Sequence, residues 1–180
     1  KPRTFIGFIA VTIIVTSVHL GFYFDGNELL SYVMKNLKDK FMFEGQLINA
    51  YTVSYIILTT LWIHIPLLIA LVTGDLISGE TNAGTFRLLL TRPLSRSKLL
   101  TAKFISGWIY VVLLVSYLVV FSILFGWVLY GTGDMIVYQN SIIILSSDDV
   151  IWRFASALLY GIMTMTVVAS LSFMLSAFSD

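Results

Sequence analysis

The composition of this 180-residue chain excludes an ordinary water-soluble domain. Hydrophobic residues make up 58% of it and charged residues 12%, whereas soluble domains are roughly 45–50% apolar and about 25% charged. The formal net charge is only +1, and no basic stripe with interleaved aromatic residues occurs, which argues against a nucleic-acid partner. Because the sequence contains no Cys, it excludes disulfides, thiolate metal sites and cysteine nucleophiles.

The apolar residues are gathered into runs long enough to cross a membrane. A spanning helix needs about 18 or more uncharged, mainly apolar residues. Four runs lack Lys, Arg, Asp and Glu, and they cover 5–24, 45–74, 104–133 and 154–179. Both parities of these runs are apolar, unlike the alternating strands of a membrane barrel. The predicted fold class is therefore all-α, a polytopic membrane helix bundle.

In chain order, we predict four transmembrane spans in a single transmembrane domain. The predicted elements are a first span at 5–24, an external loop with an amphipathic helix at 25–49, a second span at 50–73, a cytoplasmic segment at 74–100, a third span at 104–130, an external loop at 131–149 and a fourth span at 151–178. The amphipathic helix is equally well interpreted as part of a solvated loop. The chain begins without Met and ends just after the fourth span, so we expect it to be an incomplete part of a longer protein.

Basic residues assign the two sides of the membrane, because short cytoplasmic loops are enriched in Lys and Arg. The loop at 131–149 has three acidic residues and no basic one, and the first loop carries Lys35, Lys38 and Lys40. The largest basic cluster lies between the second and third spans and comprises Arg87, Arg92, Arg96, Lys98 and Lys103. We assign the side that carries this cluster to the cytoplasm. The N-terminus is then also cytoplasmic, and we predict a bacterial or archaeal cell membrane.

The segment between the second and third spans is predicted to contain a short amphipathic helix. Thr81 or Asn82 can cap its start, and Pro93 marks its end because it disfavours helical dihedrals in the residue before it. Such a helix can insert an apolar ridge into a groove of a partner protein. From periodicity alone, a helix resting on lipid headgroups is the commoner interpretation. The apolar ridge consists of Phe86, Leu89 and Leu90.

The same segment resembles the signature of the ABC-2 type permeases. The matching features are an acidic residue, a Gly-Thr pair, a leucine run, a Pro and a following small–basic pair. They read Gly79-Glu80, then Gly84-Thr85-Phe86-Arg87-Leu88-Leu89-Leu90-Thr91-Arg92-Pro93-Leu94-Ser95-Arg96, followed by Lys103-Phe104. The order of the spans also matches. The resemblance is to the pattern shared by permeases of copper-processing, sodium-export and gliding-associated systems, and not to one member.

The resemblance implies an exporter subunit with six spans, of which about four are present here, and with a coupling helix between the second and third. It also implies a second permease subunit, identical or different, and a separate ATPase subunit that docks on the 79–93 helix. The residues that it assigns to ATPase coupling are Glu80, Gly84, Thr85, Phe86, Arg87, Leu89, Leu90 and Pro93. ATP and Mg are expected on the ATPase, since this sequence lacks the Gly-x-x-x-x-Gly-Lys-Ser/Thr phosphate loop. We therefore expect no enzyme activity and no cofactor in this chain.

Other functions have weaker support in the sequence. His64 in the second span is a candidate because ionisable residues at membrane depth are often functional. We favour a structural role for it, since no Asp, Glu or second His shares its span. A secondary carrier or an intramembrane enzyme would need such companions. A noncatalytic membrane anchor with the same fold remains an alternative to the permease, and the sequence identifies no metal ligand and no substrate contact.

Overall fold

A computed structural model describes residues 2–33, 48–76, 78–79, 95–138 and 142–178 of the chain. These residues form five helices and one β-hairpin. The elements are α1 (Pro2–Val33), α2 (Ala50–Leu61), α3 (Ile65–Gly74), α4 (Arg96–Tyr130), β1 (Met135–Tyr138), β2 (Ile142–Leu145) and α5 (Ser147–Phe178). The predicted class, a polytopic helical membrane protein, is confirmed.

Three described helices are long and apolar enough to cross a membrane, namely Thr4–Gly26, Ser97–Tyr130 and Ser147–Phe178. Helices α2 and α3 meet the same criteria when they are taken together. They count as a fourth span if the bent pair forms a single span. The three helices overlap the predicted spans at 5–24, 104–130 and 151–178, and the pair α2 and α3 overlaps the one at 50–73. Helices α1, α4 and α5 each continue beyond the predicted limits, because a helix satisfies its own backbone hydrogen bonds whether lipid or water surrounds it.

The break between α2 and α3 bends this pair by 51°. Pro66 is the second residue of α3, where its missing N–H is tolerated and its ring prevents an uninterrupted helix from continuing through this point. The backbone of His64 joins the two halves, since its N–H donates to Leu61 O at 2.8 Å and its carbonyl accepts the Leu67 N–H at 3.2 Å. Pro66 thus accounts for the kink between α2 and α3, and the backbone of His64 contributes to its structure.

The chain divides into two compact units. The first, called the segment unit, comprises residues 1–8, 61–116 and 158–180, and it includes the predicted cytoplasmic segment. Its described core comes from residues of α3, α4 and α5 that recur at helical spacing. Gly161 allows close helix packing, because a Cβ at this position would lie 2.8 Å from Trp62. The core side chains include Ile65, Ile69, Val111, Leu114, Val115, Met165 and Ala169.

The second, called the hairpin unit, comprises residues 9–60 and 117–157. It contains the antiparallel pair β1 and β2, whose register runs from Met135 opposite Leu145 to Tyr138 opposite Ile142. Met135 and Val137 are buried, as the period of two in a strand requires when one face packs on a core. This apolar stretch lies in the loop predicted at 131–149, and its strands were not predicted.

Glycine and asparagine fix the ends of two helices in the hairpin unit. Gly131 adopts a φ of 73° directly after α4, which is the usual left-handed end of a helix, and its carbonyl accepts the Ala50 N–H at 3.2 Å. Asn49 is buried and caps α2 by accepting the Thr52 N–H on Oδ1 at 3.0 Å. Its Nδ2 donates to Asp134 O at 2.7 Å. Asn49 therefore connects the start of α2 to the loop that leads into β1.

We predict that Asn49→Ala lowers the free energy of unfolding by about 1–2 kcal/mol, because it removes a helix cap and a buried hydrogen bond. The measurement is the thermal unfolding midpoint of the full-length protein in mild detergent. Asn49→Ser is the matched control, since Ser can cap α2 but cannot reach Asp134, and it should lose about half as much. An unchanged midpoint for Asn49→Ala would show that this link contributes nothing to stability.

Candidate functional site

The candidate site is the place where the predicted coupling segment leaves the helices. The residues assigned to ATPase coupling, Glu80, Gly84, Thr85, Phe86, Arg87, Leu89, Leu90 and Pro93, lie outside the described residues. On the N-terminal side of them, the structure describes the chain up to Leu76 and again at Ser78 and Gly79, and on the C-terminal side it describes the chain from Ser95. We call the N-terminal place the segment root and define it by residues 74–76 and 78–79 with their partners on α4 and α5.

Two serines of α5 hold the end of α3. Ser172 Oγ donates to Ala70 O at 2.8 Å, and Ser176 Oγ donates a short hydrogen bond to Gly74 O. Ser172 and Ser176 are four residues apart on α5, and Ala70 and Gly74 are four residues apart on α3. Each pair therefore lies on one face of its helix. The Gly74 carbonyl is among the last four of α3, which have no partner within the helix. Ser176 therefore supplies a donor to a backbone carbonyl at the end of α3.

Ser176 also binds Ser78, which lies beyond the end of α3. The Ser78 N–H donates to Ser176 Oγ at 3.2 Å, while the Ser78 hydroxyl donates to Gly74 O at 2.9 Å. The Gly79 N–H donates to Asp75 O at 3.2 Å and continues this turn. One hydroxyl of α5 thus contacts both the end of α3 and the beginning of the coupling segment.

A buried lysine of α4 contacts the same place. Lys103 is 9% exposed, and its Nζ donates to Leu76 O at 2.7 Å. An ammonium group next to carbonyls at a helix end is favourable, because those carbonyls carry the negative end of the helix dipole. In apolar surroundings this charge-assisted hydrogen bond is stronger than one between neutral groups. Lys103 therefore ties the segment root to the first turns of α4.

Glycines bring these helices close together at the segment root. A Cβ on Gly74 would lie 3.1 Å from Ser172 Oγ, and a Cβ on Gly107 would lie 3.0 Å from Leu76 Cδ1. Both distances are shorter than ordinary side-chain contacts, so a larger residue would push α3 away from α5 or α4. Small residues at helix contacts are typical of membrane bundles, where close van der Waals packing drives association.

The segment root lines an open cavity of about 420 Å³. Hydroxyl and carboxyl groups stand beside two leucines in its wall. Within the described ranges, no group of three or more His, Asp or Glu side chains is placed to hold a metal ion. The residues that line the cavity are Leu71, Gly74, Asp75, Ser78, Ser172, Leu175 and Ser176.

Sequence reasoning found the segment but missed the residues that hold its root. Ser172 and Ser176 were interpretable only as small groups suited to helix packing, and Lys103 only as part of the basic cluster and the family signature. The available signals were a serine pair at helical spacing in an apolar span and a lysine where the third span begins. Neither signal reveals the partner, because the partners are carbonyls on a helix about 30 or 100 residues away.

These features define a multi-pass helical membrane protein. Comparison with known proteins identifies its family. A family model described as ABC-2 family transporter protein matches residues 3–180. The chain is 30% identical over 113 residues to the uncharacterized protein YhcI of Bacillus subtilis (strain 168), a match that covers 59% of this chain and 36% of that protein. No solved structure matches the chain. The chain belongs to the ABC-2 family of transporter proteins, and the resemblance seen in the 79–104 segment is confirmed.

We predict that Ser176→Ala loosens the segment root. The Ser78 N–H and the Gly74 carbonyl both lose a partner, and a hydrogen bond of this kind contributes about 1 kcal/mol. Amide hydrogen exchange of residues 74–79 should become about fivefold faster, since local opening sets the exchange rate. Ser170→Ala is the control, because the Ser170 hydroxyl donates to Thr166 O of its own helix. Equal exchange in both variants would contradict the role given to Ser176.

Proposed function

We propose that this chain is the membrane-spanning permease subunit of an ATP-binding-cassette exporter. The observation that carries the proposal is the family match over residues 3–180, together with the family signature in the sequence between the second and third predicted spans. A separate ATPase subunit would dock on the 79–93 helix and supply the energy. ATP and Mg would bind to that subunit, and a second permease subunit, identical or different, would complete the membrane pathway.

The segment root supports a mechanical role for the 79–93 helix. A movement of that helix acts first on Leu76 and Ser78, whose hydrogen bonds to Lys103 and Ser176 connect them to α4 and α5. These hydrogen bonds attach the segment to α4 and α5, and we expect the ends of the helices to follow its movement. Closure of the ATPase sites would therefore displace the ends of α3, α4 and α5, in the manner of other rigid-body transitions.

The same proposal sets the orientation of the chain. The ATPase hydrolyses cytoplasmic ATP, so the 79–93 helix and the N-terminus would lie on the cytoplasmic side of a bacterial or archaeal cell membrane. The excess of Lys and Arg between the second and third spans supports this side. In this orientation β1 and β2 lie on the outer side. Loss of a bound ATPase after changes within 79–93 would also place this segment in the cytoplasm.

The test is co-purification of the full-length protein with its ATPase subunit in mild detergent. We expect a stoichiometric ATP-binding-cassette subunit with the unchanged protein. In the double variant Phe86→Ala and Leu90→Ala, the amount of co-purified ATPase subunit should fall about tenfold or more, because a few apolar anchors dominate most protein interfaces. The control is Ile143→Ala and Ile144→Ala, which shortens two exposed side chains of β2 and should leave the complex intact.

Two outcomes would contradict this proposal in different ways. If the Phe86 and Leu90 variant retains the ATPase fully, the docking site is wrong although the subunit assignment stands. If no ATPase accompanies the unchanged protein, the permease assignment fails and the noncatalytic membrane anchor becomes the better account.

A further inference from the structure

The second predicted span is interrupted at its centre. Helices α2 and α3 together cover residues 50–74, and the turn between them, 62–64, lies halfway along this stretch. We call this turn the span break. Pro66 has no N–H, so the Trp62 carbonyl lacks the donor that an unbroken helix would supply four residues later. Incomplete helical hydrogen bonding of this kind is costly in hydrocarbon.

Contacts within the segment unit place the span break at the middle of the membrane. The indole of Trp62 lies against Gly161, where an added Cβ would be 2.8 Å from the ring and 3.5 Å from Val115 Cγ1. Val115 lies near the centre of the candidate span Ser97–Tyr130. Gly161 lies near the centre of the candidate span Ser147–Phe178. The span break is therefore level with the centres of two neighbouring spans, at the depth farthest from bulk water.

The span break is exposed although it lies at this depth. Ile63 is 76% exposed and Trp62 is 40% exposed, and His64 is exposed as well. His64 is also the only His, Lys, Arg, Asp or Glu in residues 45–74. Ionisable residues and irregular backbone occur at membrane depth where they are buried in protein or line a water-filled cavity. The described part of the segment unit does not bury this turn, so the turn faces either water or a further protein surface.

An exposed row of residues connects the span break with the cavity at the segment root. Ile63, Leu67 and Leu71 are exposed and follow one another at intervals of four. His64 has helical dihedral angles, with φ −88° and ψ −30°, so this spacing places the row on one side of α3. The buried residues of α3 lie on its other side. The row is about 12 Å long at 1.5 Å per residue, and Leu71 at its end lines the cavity of about 420 Å³.

The two ends of this row are polar. At the segment root, Asp75 and Ser78 stand beside Leu71 in the wall of an open cavity. At the span break, the row ends where His64 is exposed and the Trp62 carbonyl has no helical donor. A row that faced only lipid would be apolar at the centre of the bilayer, because hydrocarbon offers no hydrogen bond to a polar group. The polar ends therefore favour a row that faces water.

We propose that the exposed side of α3 lines the transport pathway of the permease, from the segment root to the span break. This inference rests on the proposed function, which supplies the pathway and places the segment root on the cytoplasmic side. A substrate that enters at the cavity contacts Leu71, Leu67 and Ile63 in turn and meets His64 at the middle of the membrane. His64 thus has a role in the pathway, which the sequence alone did not favour.

The first test is the reactivity of single thiols in the full-length protein, in inverted membrane vesicles that expose the cytoplasmic side. The sequence contains no Cys, so Ile63→Cys and Leu67→Cys each add one thiol to it, and mass spectrometry identifies the labelled peptide. A charged methanethiosulfonate reacts with the thiolate, which forms in water and not in hydrocarbon. Met163→Cys is the matched control, since Met163 is 66% exposed and lies two residues from Gly161 at the same depth.

We expect both α3 variants to be labelled at least about tenfold faster than Met163→Cys. Because positions 63 and 67 are one turn apart on the same row, either variant can decide the test if the other fails to fold. Labelling no faster than that of the control would overturn the proposal, since lipid or a dry protein contact would then cover the row.

The second test connects the labelling with the ATPase subunit. Trapping the complex with ATP and vanadate holds the ATPase sites closed, and a pathway that responds to closure changes its access to water. Labelling of Ile63→Cys should then change at least about threefold, while that of Met163→Cys stays the same. Unchanged labelling of Ile63→Cys on trapping would overturn the pathway role of α3. If no ATPase accompanies the purified protein, the proposed function itself fails, and the pathway role fails with it.

Discussion

Hydrocarbon offers no hydrogen bonds to a backbone, and the described helices must satisfy their N–H and C=O groups from within the protein. Along a helix this happens automatically, but each end leaves carbonyls without a partner. At the segment root the Gly74 and Leu76 carbonyls receive Ser176 Oγ and Lys103 Nζ. The requirement to satisfy these carbonyls therefore determines which helices meet there, and it makes the start of the coupling segment part of the packed structure.

The same requirement explains the places where the helices depart from regularity. At Pro66 a donor is missing, and the His64 backbone joins two shorter helices across the bend. At the end of α4, Gly131 turns the chain and its carbonyl accepts the Ala50 N–H. The hydrogen bond between Ala50 and Gly131 joins residues that are distant in sequence.

Much of the fold follows from the sequence, because a run such as 104–133 can only be a spanning helix once charge and length are considered. The hairpin was not predictable, since Ile142–Leu145 is apolar on both faces and too short to distinguish a strand from a buried turn. The role of Lys103 was not predictable either, because its partner Leu76 O belongs to a helix end whose position depends on packing. The family signature identified the segment, and the coupling roles of Glu80 and Arg87 stay predictions.

The most direct test of the central claim is site-specific photo-crosslinking in intact membranes. A photoreactive residue at position 86 of the full-length protein should form an adduct with an ATP-binding-cassette ATPase, identified by mass spectrometry. The same residue at position 144, on the exposed face of β2, should form none. An ATPase adduct at position 144 would contradict the account of the 79–93 helix as the docking site. The absence of an adduct at both positions, in membranes that contain the ATPase subunit, would contradict it as well.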